Sequence, residues 1–122
     1  KLGNKTDIGA FAYLNASYGI VIEDFVQIGG GVKIYSIDTI SEKSGKVILK
    51  KNCKVGANSV ILPGVIIGEN SVVGACSVVK YGTIILPNEI WVGSPAKKIG
   101  VIKKNESWRY YGGCYLCFCL YA

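Results

Sequence analysis

Few side chains in this sequence can move a proton or hold a metal near neutral pH. Its 122 residues include no histidine, the one residue whose unperturbed pKa falls between 5 and 8. The spacing closest to a metal-binding pattern is Cys114-x-x-Cys117-x-Cys119. A structural zinc site takes four Cys or His ligands, and Cys53 and Cys76 are far away in sequence, so no metal is expected. No βαβ pattern precedes the motif, which argues against a redox pair. Cys53 and Cys76 read as small hydrophobes. Five cysteines is an odd number, and with no export signal this favours reduced thiols. The formal charge is +6, which raises the question of nucleic acid. Lys50, Lys51 and Lys54 cluster mid-chain, and Lys97, Lys98, Lys103, Lys104 and Arg109 cluster late. Aromatic residues are not interleaved with them as a base-stacking platform requires, so nucleic acid is not an expected partner.

The elements that must position any site are set by a period of six. Read as LKKNCK VGANSV ILPGVI IGENSV VGACSV VKYGT, the stretch from Leu49 to Thr83 places Leu49, Val55, Ile61, Ile67, Val73 and Val79 in one phase, with Gly56, Gly68 and Gly74 directly after three of them. A buried helix face repeats every 3.6 residues and a half-buried strand every 2, so a period of six fits neither alone. It fits a coil with one inward residue on each short side. The fifth place of each hexad is small or β-branched, as at Ser59, Val65, Ser71 and Ser77, which suits a tightly stacked, mostly parallel β-solenoid.

An earlier run is phased on Leu2, Ile8 and Leu14, and the next on Ile22, Ile28 and Ile34. The two extra residues between them, read as Ile20 and Val21, require a bulge or a widened corner. Because Lys1 is already in phase, the expectation is either a coil that begins directly or a segment missing before it. From Asp38 to Lys46 the hexad fails and the residues turn polar, then the phase resumes at Leu49. This is an excursion from the coil and a candidate functional loop. After Val79 the phase weakens through KYGTIILPNEIW, and GSPAKK closes the array. The sixteen glycines and three prolines fall at defined phases, as turn residues and not as low complexity. One domain over residues 1–100, with the excursion at 38–46, and an aromatic, Cys-rich tail over 101–122 are expected. The tail's apolar residues need a partner, either as a cap across the last coil or as an abnormal end. No apolar run reaches the ~18 residues of a spanning helix, and no signal peptide opens the chain, so a cytoplasmic protein is expected. The acceptor-like triplets at Asn4, Asn15 and Asn105 are then chance matches for glycosylation.

The hexad [LIV]-G-x-x-[SV]-x, the phrase ILPGVIIGENSVVGACSVV and the ending WVGSPAKKIG resemble the hexapeptide-repeat acyltransferases over roughly residues 2 to 100. The resemblance implies an all-β, left-handed parallel β-helix of triangular section, about five coils long. Handedness comes from the resemblance alone, since β-crossovers are otherwise right-handed. It also implies a homotrimer that moves an acetyl group from acetyl-CoA to a sugar hydroxyl or amine, with a role in surface-polysaccharide synthesis. The basic excess then suits the phosphates of coenzyme A. Family members are similar in laying the pantetheine arm along the groove between subunits, and the matching positions here are Ala57, Ala75, Lys80 and Lys97, with Lys98 as a neighbour able to share a phosphate. Asn88, Gly93, Pro95, Ala96 and Lys97 match the closing motif N-x-x-x-x-G-x-P-A-[KR], and the excursion resembles the loop that walls the active site. Asn15 matches an acceptor-side polar position, and Ser36 is a second acceptor candidate.

The family base is a histidine, and the two positions that would host it read Ile37 and Asn58, neither of which takes a proton at neutral pH. Three readings stay open. Asp38, beside the first position, substitutes as base if burial raises its pKa. The acceptor is an amine that needs only alignment with the thioester. Or the chain is a trimeric scaffold without catalysis.

Overall fold

The hexad phase closes into a three-sided coil. A computed structural model describes residues 1–102, and among them are sixteen strands and no helix. The first coil holds β1 (Asp7–Ile8), β2 (Tyr13–Asn15) and β3 (Ile20–Ile22). The second holds β4 (Gln27–Ile28), β5 (Lys33–Tyr35), a hairpin of β6 (Ile37–Asp38) and β7 (Lys43–Ser44), and then β8 (Val47–Leu49). The third is β9 (Lys54–Val55), β10 (Val60–Ile61) and β11 (Ile66–Ile67), and the fourth β12 (Val72–Val73), β13 (Val78–Val79) and β14 (Ile84–Ile85). A fifth begins with β15 (Glu89–Gly93), and the chain then reverses into β16 (Ala96–Val101).

Each side of the triangle is a parallel sheet built from successive coils. The first face is β1-β4-β9-β12-β15 with β16 added antiparallel, the second β2-β5-β10-β13, and the third β3-β8-β11-β14. Inward residues sit directly over one another: Ile28, Val55 and Val73 on the first face, Ile34, Ile61 and Val79 on the second, Leu49, Ile67 and Ile85 on the third. All of these are nearly inaccessible, and together they are one continuous core running along the axis. The lowest residues of the three stacks, Leu2 beneath Ile22, Ile8 beneath Ile28 and Leu14 beneath Ile34, are 38% to 59% exposed, because no coil of the described residues lies beneath them.

Two expectations change. The phase does not weaken after Val79: Ile85 is 1% exposed and stacked on Ile67, and Trp91 stacks on Val73 and packs against the core. Ile84 and Leu86, the neighbours of Ile85, are apolar but exposed, and no glycine follows Ile85 as Gly56, Gly68 and Gly74 follow earlier inward residues, so the marks on which the period is read are lost there. Nor are Ile20 and Val21 the insertion. They are paired in β3 with Val47 and Ile48, and the extra length sits in the preceding turn, where the Gly19 N–H bonds to the Ala16 carbonyl at 2.9 Å.

Corners are made by left-handed backbone. The first corner, between first and second faces, stacks Phe11, Gly31, Asn58 and Cys76 at φ between 56° and 72°. The second corner carries Gly64 and Gly82, and the third Lys5, Phe25, Asn52, Asn70 and Asn88, all at positive φ. Asn tolerates this region better than most residues, and a side-chain bond from Asn52 Nδ2 to Asn70 Oδ1 at 2.7 Å ties two coils together. Inward serines are satisfied across coils as well: Ser59 Oγ donates to the Gly74 carbonyl at 2.9 Å and Ser71 Oγ to that of Leu86 at 2.6 Å.

Candidate active site

The expected site residues fall on three separate places of the prism. Asn15, Ser36, Asp38 and Lys80 gather along the second corner, on the first, second and fourth coils. Ala57, Asn58 and Ala75 stack along the first corner. Lys97 and Lys98 lie on β16, at the far end of the first face.

At the second corner the excursion expected at 38–46 is the β6–β7 hairpin, with Asp38 opposite Lys43. Asp38 is not the buried carboxyl with raised pKa that a substitute base requires. Its Oδ2 accepts the Ser41 hydroxyl at 2.8 Å and its Oδ1 the Ile40 N–H at 3.0 Å. These bonds, the Ser41 one foremost, hold it below the usual carboxylate range, with Lys43 adding to them. It is ionised throughout the neutral range and is a weak base. Ser36 is also not an open acceptor contact. It is fully buried, its hydroxyl donating to the Asn15 carbonyl at 2.7 Å and accepting the Tyr18 N–H at 2.9 Å. The Asn15 side-chain oxygen is fixed by Ser17, through the N–H at 3.1 Å and the hydroxyl at 2.8 Å.

Small residues at the first corner reflect how closely the coils stack. A Cβ on Gly56 would collide with the Ala75 backbone nitrogen, and one on Gly31 with Asn58 Oδ1. The Asn58 and Cys76 N–H groups bond to the Gly30 and Ala57 carbonyls, each at 2.9 Å. Beside this corner the outer side of the first face forms a groove of about 310 Å³ whose lining includes Gln27, Lys54, Ala57 and Val72. Lys54 is anchored there by bonds from its Nζ to the Asn52 side-chain oxygen at 3.1 Å and carbonyl at 3.3 Å. The groove is partly apolar, and Ala57 lies on it.

The closing motif is the turn between β15 and β16, with Gly93 at φ 105° opposite Ala96. Lys97 is exposed. Lys98 is not available for a phosphate in the way expected, because its Nζ is paired with Glu89 Oε2 at 2.9 Å. Glu89 is a residue the sequence did not single out. It is buried, and its Oε1 accepts the Leu86 N–H at 2.9 Å and the Trp91 Nε1–H at 3.1 Å. The Lys98 bond is the main reason its carboxyl is held below the ordinary glutamate range. The available signal was Trp91 standing in the hexad phase two places after an acid.

Among the described residues no group of three or more Cys, Asp or Glu is placed to hold a metal, and the CxxCxC cysteines, with Lys103, Lys104 and Arg109, lie outside the described residues. Burial pushes the Cys53 thiol up to about 12, so it is no nucleophile. No helix of the described residues is long and apolar enough to cross a membrane.

The family model for bacterial transferase hexapeptide, six repeats, matches residues 46–80. A comparison with curated proteins gives no match. Among solved structures, AntD, an N-acyltransferase from Bacillus cereus, in complex with dTDP and 3-hydroxybutyryl-CoA is 31% identical, with a TM-score of 0.79 over 100% of this chain and 71% of that one. A serine-to-alanine variant of AntD, in complex with dTDP-4-amino-4,6-dideoxyglucose and coenzyme A, is 33% identical, with a TM-score of 0.75 over 93% and 68%. The chain belongs to the hexapeptide-repeat acyltransferases. A maltose O-acetyltransferase from Clostridium difficile 630 is more distant, 27% identical with a TM-score of 0.61 over 84% and 66%. The fold of this acyltransferase is accordingly a left-handed parallel β-helix. The handedness that spacing alone does not supply follows from this likeness.

Proposed function

We propose that this chain transfers an acetyl group from acetyl-CoA to the amine of an amino sugar, at a site shared between neighbouring copies of a closed homotrimer. The observation that carries the reading is the state of Asp38. With no histidine in the chain and the hairpin carboxylate held low by Ser41 and Ile40, neither the family base nor its substitute candidate Asp38 is suited to take a proton from a hydroxyl near pH 7. A free amine needs no such base, only alignment with the thioester. AntD, 33% identical to this chain in one of its structures, is an N-acyltransferase crystallised with a 4-amino sugar nucleotide and coenzyme A, which supports the same acceptor class here.

In the reaction, the amine nitrogen attacks the thioester carbonyl carbon, the C–N bond forms and the C–S bond breaks. The proton lost from nitrogen ends on the departing sulfur, giving an amide and the free thiol of coenzyme A. The ionised Asp38 accepts a hydrogen bond from the incoming amine, and the Asn15 amide, steadied by Ser17, donates one to the sugar. The pantetheine arm follows the groove past Ala57 and Ala75, with Asn58 at its rim, and Lys80 and Lys97 supply positive charge toward the phosphates, while Lys98 is engaged by Glu89. First-corner and second-corner residues stand on different edges of one prism, so a site that uses both requires the first corner of one copy to face the second corner of the next. Such a head-to-side contact closes into a ring of three when each copy is turned by a third of a circle from the last. A donor and acceptor of the acyl-CoA and nucleotide-sugar classes support a cytoplasmic reaction, and modification of a surface-polysaccharide precursor is its proposed role.

The test pairs calorimetric titration with acetyl-CoA and a thiol-release assay on two nucleotide sugars that differ only by amine or hydroxyl. Binding near one site per subunit, with thiol released for the amine alone, is the expected result. Equal release with the hydroxyl sugar removes the amine reading. Binding without release on either sugar favours the scaffold.

A further inference from the structure

The excursion hairpin is fastened to its own chain two coils further on. Its root is held by backbone bonds, from the Gly45 N–H to the Ser36 carbonyl at 2.9 Å and from the Gly64 N–H to the Gly45 carbonyl at 3.2 Å. Beyond the root, Lys43 Nζ stands 5.0 Å from the centroid of the Tyr81 ring. Tyr81 belongs to the second-corner turn of the fourth coil, next to Lys80. The coil between them carries Gly64 at that corner, and a Cβ there would stand 3.7 Å from Tyr81 Cε2. The ring therefore lies back along the corner, over a residue without a side chain, toward the hairpin. Lys43 in turn is the cross-strand partner of Asp38, and Ile40 at the hairpin tip is 95% exposed.

We propose that Tyr81 is a positioning residue: its ring face seats the Lys43 ammonium and so fixes the hairpin that carries Asp38 at the acceptor end of the cleft. An ammonium over an aromatic face within about 6 Å is attracted by the ring quadrupole, and a two-stranded hairpin has little stability of its own. The contact thus decides whether the hairpin holds one orientation. Its importance for catalysis rests on the acyl-transfer reading above, whereas the latch itself does not.

Hydrogen exchange on the whole chain without substrates tests the latch. Tyr81→Ala speeds exchange of amides in residues 37–45 roughly two- to five-fold, the loss expected for one exposed cation–π contact, while the core amides of Ile48 and Val60 keep their rates as a folding control. Tyr81→Phe retains the ring and the wild-type rates, and Lys43→Gln, at an exposed position, reproduces the loosening. Unchanged exchange in Tyr81→Ala overturns the proposal, as does loosening of equal size in Tyr81→Phe. In the transfer assay Tyr81→Ala raises the acceptor KM several-fold at little cost to the donor KM. A loosened hairpin with an unchanged acceptor KM overturns the positioning role. A wild-type chain that transfers nothing fails the acyl-transfer reading only, and the exchange rates still decide the latch.

Discussion

Ser36 Oγ donates to the Asn15 carbonyl oxygen at 2.7 Å and accepts the Tyr18 N–H at 2.9 Å, joining the widened corner of the first coil to the root of the excursion. The hydroxyl has one proton and uses it on backbone, and the residue is fully buried. Ser36→Ala leaves the Tyr18 N–H without its partner and should cost about 1–3 kcal/mol, read as a lower urea midpoint at unchanged slope. The acceptor KM should not move. Weaker acceptor binding at full stability would return Ser36 to the substrate.

Ile85 and its neighbour Ile84 test the period where the sequence obscured it. Ile85→Ala empties a core position that is 1% exposed and should cost about 2–5 kcal/mol, as Ile61→Ala should. Ile84→Ala, outward and 59% exposed, should stay within about 0.5 kcal/mol. Similar losses at both would mean that the inward phase has slipped after Val79.

The same pair shows what the sequence can and cannot carry. From Leu49 to Val79 the inward position is marked by the glycines that follow it at Gly56, Gly68 and Gly74 and by the small fifth residues Ser59, Ser71 and Ser77, so the coil is readable from spacing. At Ile84, Ile85 and Leu86 both sides are apolar and no glycine follows the inward residue to mark the phase. The excursion is readable because its residues turn polar and the phase stops. The site is less readable, since the partners that decide it are one coil or more away along the chain. Nothing near Ser36 announces that its hydroxyl is spent on Asn15, nothing near Lys98 that Glu89 takes its charge, and nothing near Tyr81 that Lys43 lies over it.

The Glu89 carboxylate, bonded by Lys98, Trp91 and Leu86, titrates below the ordinary glutamate value of 4.5. The folded chain then binds fewer protons at this residue than the unfolded chain between the two pKa values. Its stabilisation is complete above about pH 4.5 and is lost as pH falls through the folded value. Lys98 is half exposed, so the ion pair contributes only about 0.2–1 kcal/mol. Glu89→Gln should melt below wild type at pH 7, with the gap closing in acid. A gap that widens in acid would reverse the assigned direction.

Asp38 is lowered by Ser41 and Ile40 and stays ionised from well below neutrality upward, so it cannot set a limb of the rate profile between pH 5 and 8. The ascending limb of kcat/KM should follow the pKa of the acceptor amine and shift when a less basic amine is supplied. Asp38→Asn should leave that limb in place and lower the rate by less than the ~10²-fold that loss of a general base costs. A limb that disappears in Asp38→Asn would make the carboxylate the base after all.

A site built from the first corner of one copy and the second corner of the next can be tested by mixing defects. Ala57→Arg fills the groove at the first corner, and Lys80→Glu reverses charge at the second. Each homotrimer should be inactive, because every cleft contains one damaged wall. A mixed trimer, whether it holds one or two copies of either variant, has one cleft with two intact walls. Unfolding the variants together and refolding them at equal ratio should therefore restore about a quarter of the wild-type activity, if subunits assort at random. Sites contained within single subunits give no recovery at any ratio, since every subunit then keeps its own lesion. A monomer by sedimentation would remove the shared cleft together with the donor groove proposed for it.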